Sequence, residues 1–171
     1  MTVPGIAGTV LGRELLVHLD EQHRSAERLR AAVAGQSAAL RARDVDALLA
    51  RTAELDAEVV FRATLEERRA RLLARGAALL GAEPQAVTLE RLATLATPEE
   101  ADAARERSAA LAAVLDEVRR EHGCNQALVR QELAFLDHLL HLGGAAPEAT
   151  YAPPRARPGA APAHAALDLR A

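Results

Sequence analysis

The sequence predicts an all-α protein: an elongated antiparallel helical hairpin or three-helix coiled-coil bundle that ends in a disordered C-terminal tail. Three observations predict it. Apolar residues recur at alternating spacings of four and three over long stretches, the pattern of a helix face turned toward a partner helix. Hydrophobic residues make up 50% of the chain but aromatics only 2%, so the apolar surface comes in pieces that suit helix seams better than a thick core. Helix-stopping glycines and prolines stand at a few junctions and gather near the C-terminus. Residues 1–143 are read as the helical coiled-coil domain and 144–171 as a flexible Pro/Ala-rich tail.

The first helix is expected over about residues 9 to 42, with a seam of Leu15, Leu19, Gln22, Ala26, Leu29, Val33, Gln36 and Leu40. Gly35 inside it weakens the helix by roughly 1 kcal/mol relative to Ala and allows a bend. Asp44 is placed to cap a second helix, in which Val45, Leu48, Thr52, Leu55 and Val59 restart the pattern. The seam then shifts from Phe61 to Leu65, Leu72 and Leu79, while Glu58/Arg62 and Glu67/Arg71 read as acid-before-base pairs on exposed faces. Gly81 should close this helix, with Pro84 beyond it preventing continuation.

A connector with one or two turns from Thr88 to Leu95 leads to Thr97-Pro98-Glu99-Glu100. These residues supply an N-cap, a proline at the first helical position and a Glu able to reach back, which is a capping box. One long helix, residues 98 to 142, should follow, with a seam of Ala101, Ala104, Ser108, Leu111, Leu115, Val118, His122, Asn125, Val129, Glu132, Leu136 and Leu139. Gly143-Gly144 ends it. The remaining segment, with Pro147, Pro153, Pro154, Pro158 and Pro162, carries too little apolar surface to offset the entropy of ordering it.

Composition narrows the function. With 171 residues the chain suits one domain. A net charge of −3, with acids and arginines interleaved, argues against binding duplex nucleic acid or an anionic membrane, which needs clustered surplus cations. Cys124 is the single cysteine, which excludes an intrachain disulfide and fits a reducing, cytoplasmic setting. Met1 to Leu11 resembles no cleaved signal, and no run of apolar residues is long enough to cross a bilayer.

No catalytic pattern emerges, and neither a cofactor nor a metal is expected. His138 and His141 share a helix face but lack a third ligand in a metal-binding pattern. His18 and His138 read as solvent-facing, which leaves histidine phosphotransfer a distant alternative. Cys124 and His122 are two apart on a helix, so they do not face each other as nucleophile and base; Cys124 reads as a half-buried seam thiol. Phe61, Phe135 and Tyr151 are too sparse for a base-stacking platform. The feature that stands out is an apolar excess late in the last helix, where Leu128, Val129, Leu133, Phe135, Leu136, Leu139, Leu140 and Leu142 cover more than one stripe. Such an excess marks a partner site, a third packed helix or a homodimer contact.

The order and spacing of several motifs resemble the FlgN family of flagellar export chaperones over nearly the whole chain. They are the stretch Arg41-Ala42-Arg43-Asp44-Val45-Asp46-Ala47-Leu48, the Arg-rich helix running into Leu79-Leu80-Gly81, Asn125-Gln126-Ala127-Leu128, Thr150-Tyr151, and the terminal Leu167-Asp168-Leu169-Arg170-Ala171. The chain departs from the family where Glu121 and His122 stand in place of a further Asn, and where Ala152, Pro153 and Pro154 follow the tyrosine. The resemblance implies a cytosolic chaperone, not an enzyme, that covers C-terminal amphipathic helices of hook-associated (hook-filament junction) proteins and delivers them to the export gate. On that reading Asn125, Leu128, Val129, Leu133, Leu136, Leu139, Leu140 and Leu167 bind the client, and Tyr151 docks on the cytosolic domain of the export-gate membrane protein. The competing class is a structural coiled coil or a phasin-like surface-coat protein.

Overall fold

A computed structural model describes residues 6–143. The tail at 144–171, with Tyr151 and Leu167, lies outside the described residues. Those described form helices and turns with no strand among them: α1 (Ile6–Ala42), α2 (Val45–Leu80), a 3-10 turn (Pro84–Ala86), α3 (Leu89–Ala93) and α4 (Pro98–Leu142). The chain divides into two units, Met1–Gln131 and Glu132–Ala171.

The helix ends follow from their cap residues. Asp44 in extended conformation accepts a hydrogen bond from the Ala47 amide at 2.9 Å and starts α2. Gly81 at φ 59° closes it in the left-handed conformation that glycine adopts without a Cβ clash. Thr88 caps α3 through the Arg91 amide. At the head of α4 the Thr97 amide donates to the Glu100 carboxylate at 3.1 Å and the Glu100 amide donates to the Thr97 hydroxyl at 3.3 Å, the reciprocal pair of a capping box.

Within the first unit the polar contacts give the direction of each helix pair. Glu14 pairs with Arg75, Glu21 with Arg68, Ser25 with Arg62, Arg28 with Glu58 and Gln36 with Thr52. Numbers rise along α1 as they fall along α2, so the two helices run in opposite directions. Arg13 pairs with Glu100, Asp20 with Arg107, Arg30 with Glu117 and Ser37 with Asn125, each at a separation of 87 or 88 residues. A fixed separation of this kind means that α1 and α4 run the same way in one register.

The expected α1 seam is buried from Leu15 through Val33 and partly buried at Gln36 and Leu40. A second set, Leu11, His18, Ser25, Ala32, Ser37 and Ala39, is buried as well, so α1 is covered on two sides. Close approach explains several glycines near it. A Cβ on Gly8 would collide with the Leu95 carbonyl, one on Gly76 with the Leu92 side chain, and one on Gly35 would come within 2.7 Å of the Arg51 side chain. Gly35 therefore makes room for a neighbouring helix.

Other expectations are corrected. In α2 the line facing α1 is Leu55, Glu58, Arg62, Leu65 and Leu72, whereas Val45, Val59 and Leu79 are exposed. Glu58 is buried and bonds across to Arg28, so it does not belong to an exposed pair with Arg62. His18 is buried where a solvent-facing histidine was expected, and Cys124 is exposed where a seam thiol was expected. The α4 seam is buried or half-buried through Asn125 except at His122, which is exposed, and every described residue after Asn125 is exposed.

Candidate functional site

The site is best built from its fixed end. The capping box starts α4, and its ion pairs and buried Ala101, Ala104, Val114 and Leu115 hold its first half to the first unit. Asn125 is the last buried residue of the helix, at 4% exposure. Its amide nitrogen donates to the Val33 carbonyl at 3.0 Å, and its carbonyl oxygen accepts from the Ser37 hydroxyl at 2.6 Å. The same hydroxyl touches the Glu121 carboxylate, which reaches Arg41 at 3.6 Å. Asn125, expected to bind the client directly, thus lies in the interior and fastens α4 to α1; its polar groups are already matched there.

Beyond it the large apolar side chains are in solvent. Leu128 and Val129, in the first unit, are a little over one-third exposed. In the second unit Leu133, Phe135, Leu136, Leu139, Leu140 and Leu142 are between 45% and 70% exposed. Within the second unit, residues at 133, 136 and 140 follow the spacing of a single helix face, with 135, 139 and 142 to one side of it. Two predicted site residues, Leu167 and Tyr151, are outside the described residues.

The polar groups nearby do little besides capping the surface. His122 shares a hydrogen bond with Gln126 at 3.0 Å, and the His141 ring lies 2.8 Å from the Asp137 carbonyl. Among the described residues no three His, Cys, Asp or Glu side chains gather as a metal site, and no helix is long and apolar enough to cross a membrane. An unpartnered apolar face of this kind is chemically suited to receive the apolar face of another amphipathic helix.

Sequence reasoning missed the polar pairs inside the first unit. Both oxygens of Glu58 accept from Arg28, at 2.6 and 2.8 Å, and the Arg28 guanidinium lies 5.2 Å from the centre of the Phe61 ring. Burial alone would raise the Glu58 carboxyl. The hydrogen bonds from Arg28 and Ser25 and the charges of Arg28 and Arg62 outweigh it and hold the group below the usual carboxylate range. Burial lowers His18, against the raising influence of Glu66 and Glu21 and together with the lowering influence of Arg69 and Arg68. Its Nδ1 has no hydrogen-bond partner among the described residues. A signal for the pairs existed. A hairpin turning at residues 43–44 makes neighbours of positions whose numbers sum to about 87, which matches acids with arginines along α1 and α2.

No curated protein and no solved structure matches the chain. A family model described as FlgN protein matches residues 11–157. That match runs from the buried start of α1 through the exposed half of α4, and the chain belongs to the FlgN family.

Proposed function

We propose that the protein is a flagellar type III export chaperone that shields the C-terminal amphipathic helices of hook-associated subunits in the cytoplasm and brings them to the export gate. Family membership supports a flagellar export chaperone in general. The observation that carries the specific reading is the exposed apolar face of α4 after Asn125, with Leu128, Val129, Leu133, Leu136, Leu139 and Leu140 as the client-binding residues. The scaffold is read as a three-helix coiled-coil bundle, and Asn125, buried within the first unit, serves to fasten α4 to α1 there. Leu167 adds an apolar contact from the tail, and Tyr151 docks the loaded chaperone on the cytosolic domain of the gate protein.

Each large aliphatic side chain removed from water contributes roughly 1.5–3 kcal/mol before ordering costs, so a few such anchors give a complex that is tight yet releasable. The test is a calorimetric titration with a peptide spanning the C-terminal helix of a hook-filament junction subunit. Leu136 and Leu139 are both about half exposed, so replacing them together by Ala should leave the circular dichroism spectrum intact and weaken the peptide by tenfold or more. A chain ending at Ala127 keeps every buried residue of α4 and should lose the client, while one ending at 145 should keep part of the affinity. Equal binding by the shorter chain would overturn the reading, and unchanged gate binding by loaded Tyr151→Ala protein would remove the docking role alone.

A further inference from the structure

The outer face of α2 is a second apolar surface, in a different helix from the client reading and independent of it. Val45, Leu49 and Val60 are 65%, 63% and 71% exposed. They lie with the exposed Ala53 and Ala57 on the side of the helix away from the buried line of Leu55, Glu58 and Leu65. From Val45 to Val60 this stripe is about 22 Å long at 1.5 Å per residue, the length of four turns of a partner helix.

The charges along it are sorted by side. Arg51, the one arginine between Val45 and Val60, and Arg62 just past it turn inward toward α1: the Arg51 side chain meets Gly35 and pairs with Glu54, and Arg62 donates to Ser25 at 3.2 Å. The acids on the outer side of this stretch, Asp46 and Asp56, form no ion pair among the described residues. Elsewhere in the first unit most acids are paired, as at Glu14, Asp20, Glu21, Glu58, Glu90 and Glu117. The outer face of α2 therefore combines exposed aliphatic groups with uncompensated negative charge.

A second copy of the chain fits this face poorly. Pairing it with itself would set Asp46 and Asp56 against the same acids of the second copy, and like charges across an interface are unfavourable. The exposed half of α4 offers no surplus of cations, since Arg130 is accompanied by Glu132 and Asp137. We propose that the outer face of α2 docks an amphipathic helix of another protein whose apolar stripe is flanked by arginine or lysine. Val45, Leu49 and Val60 supply the apolar contact, and Asp46 and Asp56 set the orientation and the rate of encounter.

The probe is a labelled synthetic peptide with a leucine stripe flanked by arginines, beside a twin that carries glutamate in place of every arginine, each titrated into the full chain. The arginine peptide should bind and its affinity should fall with added salt, while the twin should bind at least about tenfold more weakly. The double variant Leu49→Ser/Val60→Ser alters only exposed side chains, and it should weaken the arginine peptide by about tenfold or more with unchanged thermal unfolding. Asp46→Asn/Asp56→Asn should flatten the salt dependence. Equal binding of the two peptides, no binding of either, or indifference to Leu49→Ser/Val60→Ser would overturn the proposal. So would a loss of self-association in that variant, measured by sedimentation, because it would assign the face to a second copy.

Discussion

Glu58 shows how much a single residue can depend on a neighbour distant in sequence. Read along α2 alone it is an acid four positions before Arg62, which suggests a solvated pair. In the folded chain it is 9% exposed and bound through both oxygens to Arg28. Removing Arg28 leaves the buried Glu58 carboxylate without its main partner, whereas removing Glu58 leaves an Arg28 head that is half exposed and open to water. Arg28→Ala should lower stability by about 2–3 kcal/mol and Glu58→Ala by about 1 kcal/mol, measured by urea unfolding. Similar losses in the two variants would show that the pair, and not the burial of the carboxylate, sets the cost. Cys124 was misplaced for a simpler reason. It is next to the seam residue Asn125, and one step along a helix turns a side chain by about 100°, which here separates interior from solvent.

At the scale of elements, the sequence was informative wherever local chemistry decides. Asp44, Gly81, Thr88 and the Thr97/Glu100 box each name a helix end, because a cap is satisfied by atoms three or four residues away. Thr97→Ala should cost about 1 kcal/mol and leave the helix content of the chain nearly unchanged, as read by thermal unfolding and circular dichroism. The second buried side of α1 was not legible. Apart from Leu11 its members are small or polar, Ser25, Ala32, Ser37 and Ala39 among them, and only a neighbouring helix makes such residues interior. The candidate site was legible in part for the converse reason. The leucines after Asn125 outnumber what a seam can cover, so their excess showed in the sequence, but Asn125 itself is an interior group that a linear motif cannot distinguish from a surface one.

For the whole molecule, two of the shifted acid–base groups, His18 and Glu58, act in the same direction with pH. His18 binds its proton less readily in the folded chain than at the ordinary 6.5. The unfolded state therefore takes up more protons, and the stability it contributes is present above that value and is lost as pH falls. Glu58 is depressed below its ordinary 4.5, so its contribution is lost in the same direction but at lower pH. Unfolding midpoints followed from neutral pH downward should decline in two stages, and His18→Gln should remove the first stage while leaving the second. A single decline beginning only in the carboxylate range would show that His18 charges without penalty.

The constant separation between α1 and α4, together with the mirrored numbering of α1 and α2, limits how this chain can change length over evolutionary time. A one-residue insertion inside α1 would rotate everything after it and break its matches with both neighbours at once. An insertion in the segment from Ala82 to Ala96 leaves those matches in place. Extra length within the matched stretches can be accommodated only as whole heptads added to α1, α2 and α4 at the same level. Length differences among relatives should accordingly collect in the connector, at the exposed end of α4 and at the termini, while the matched stretches of the helices behave as a ruler of fixed gauge.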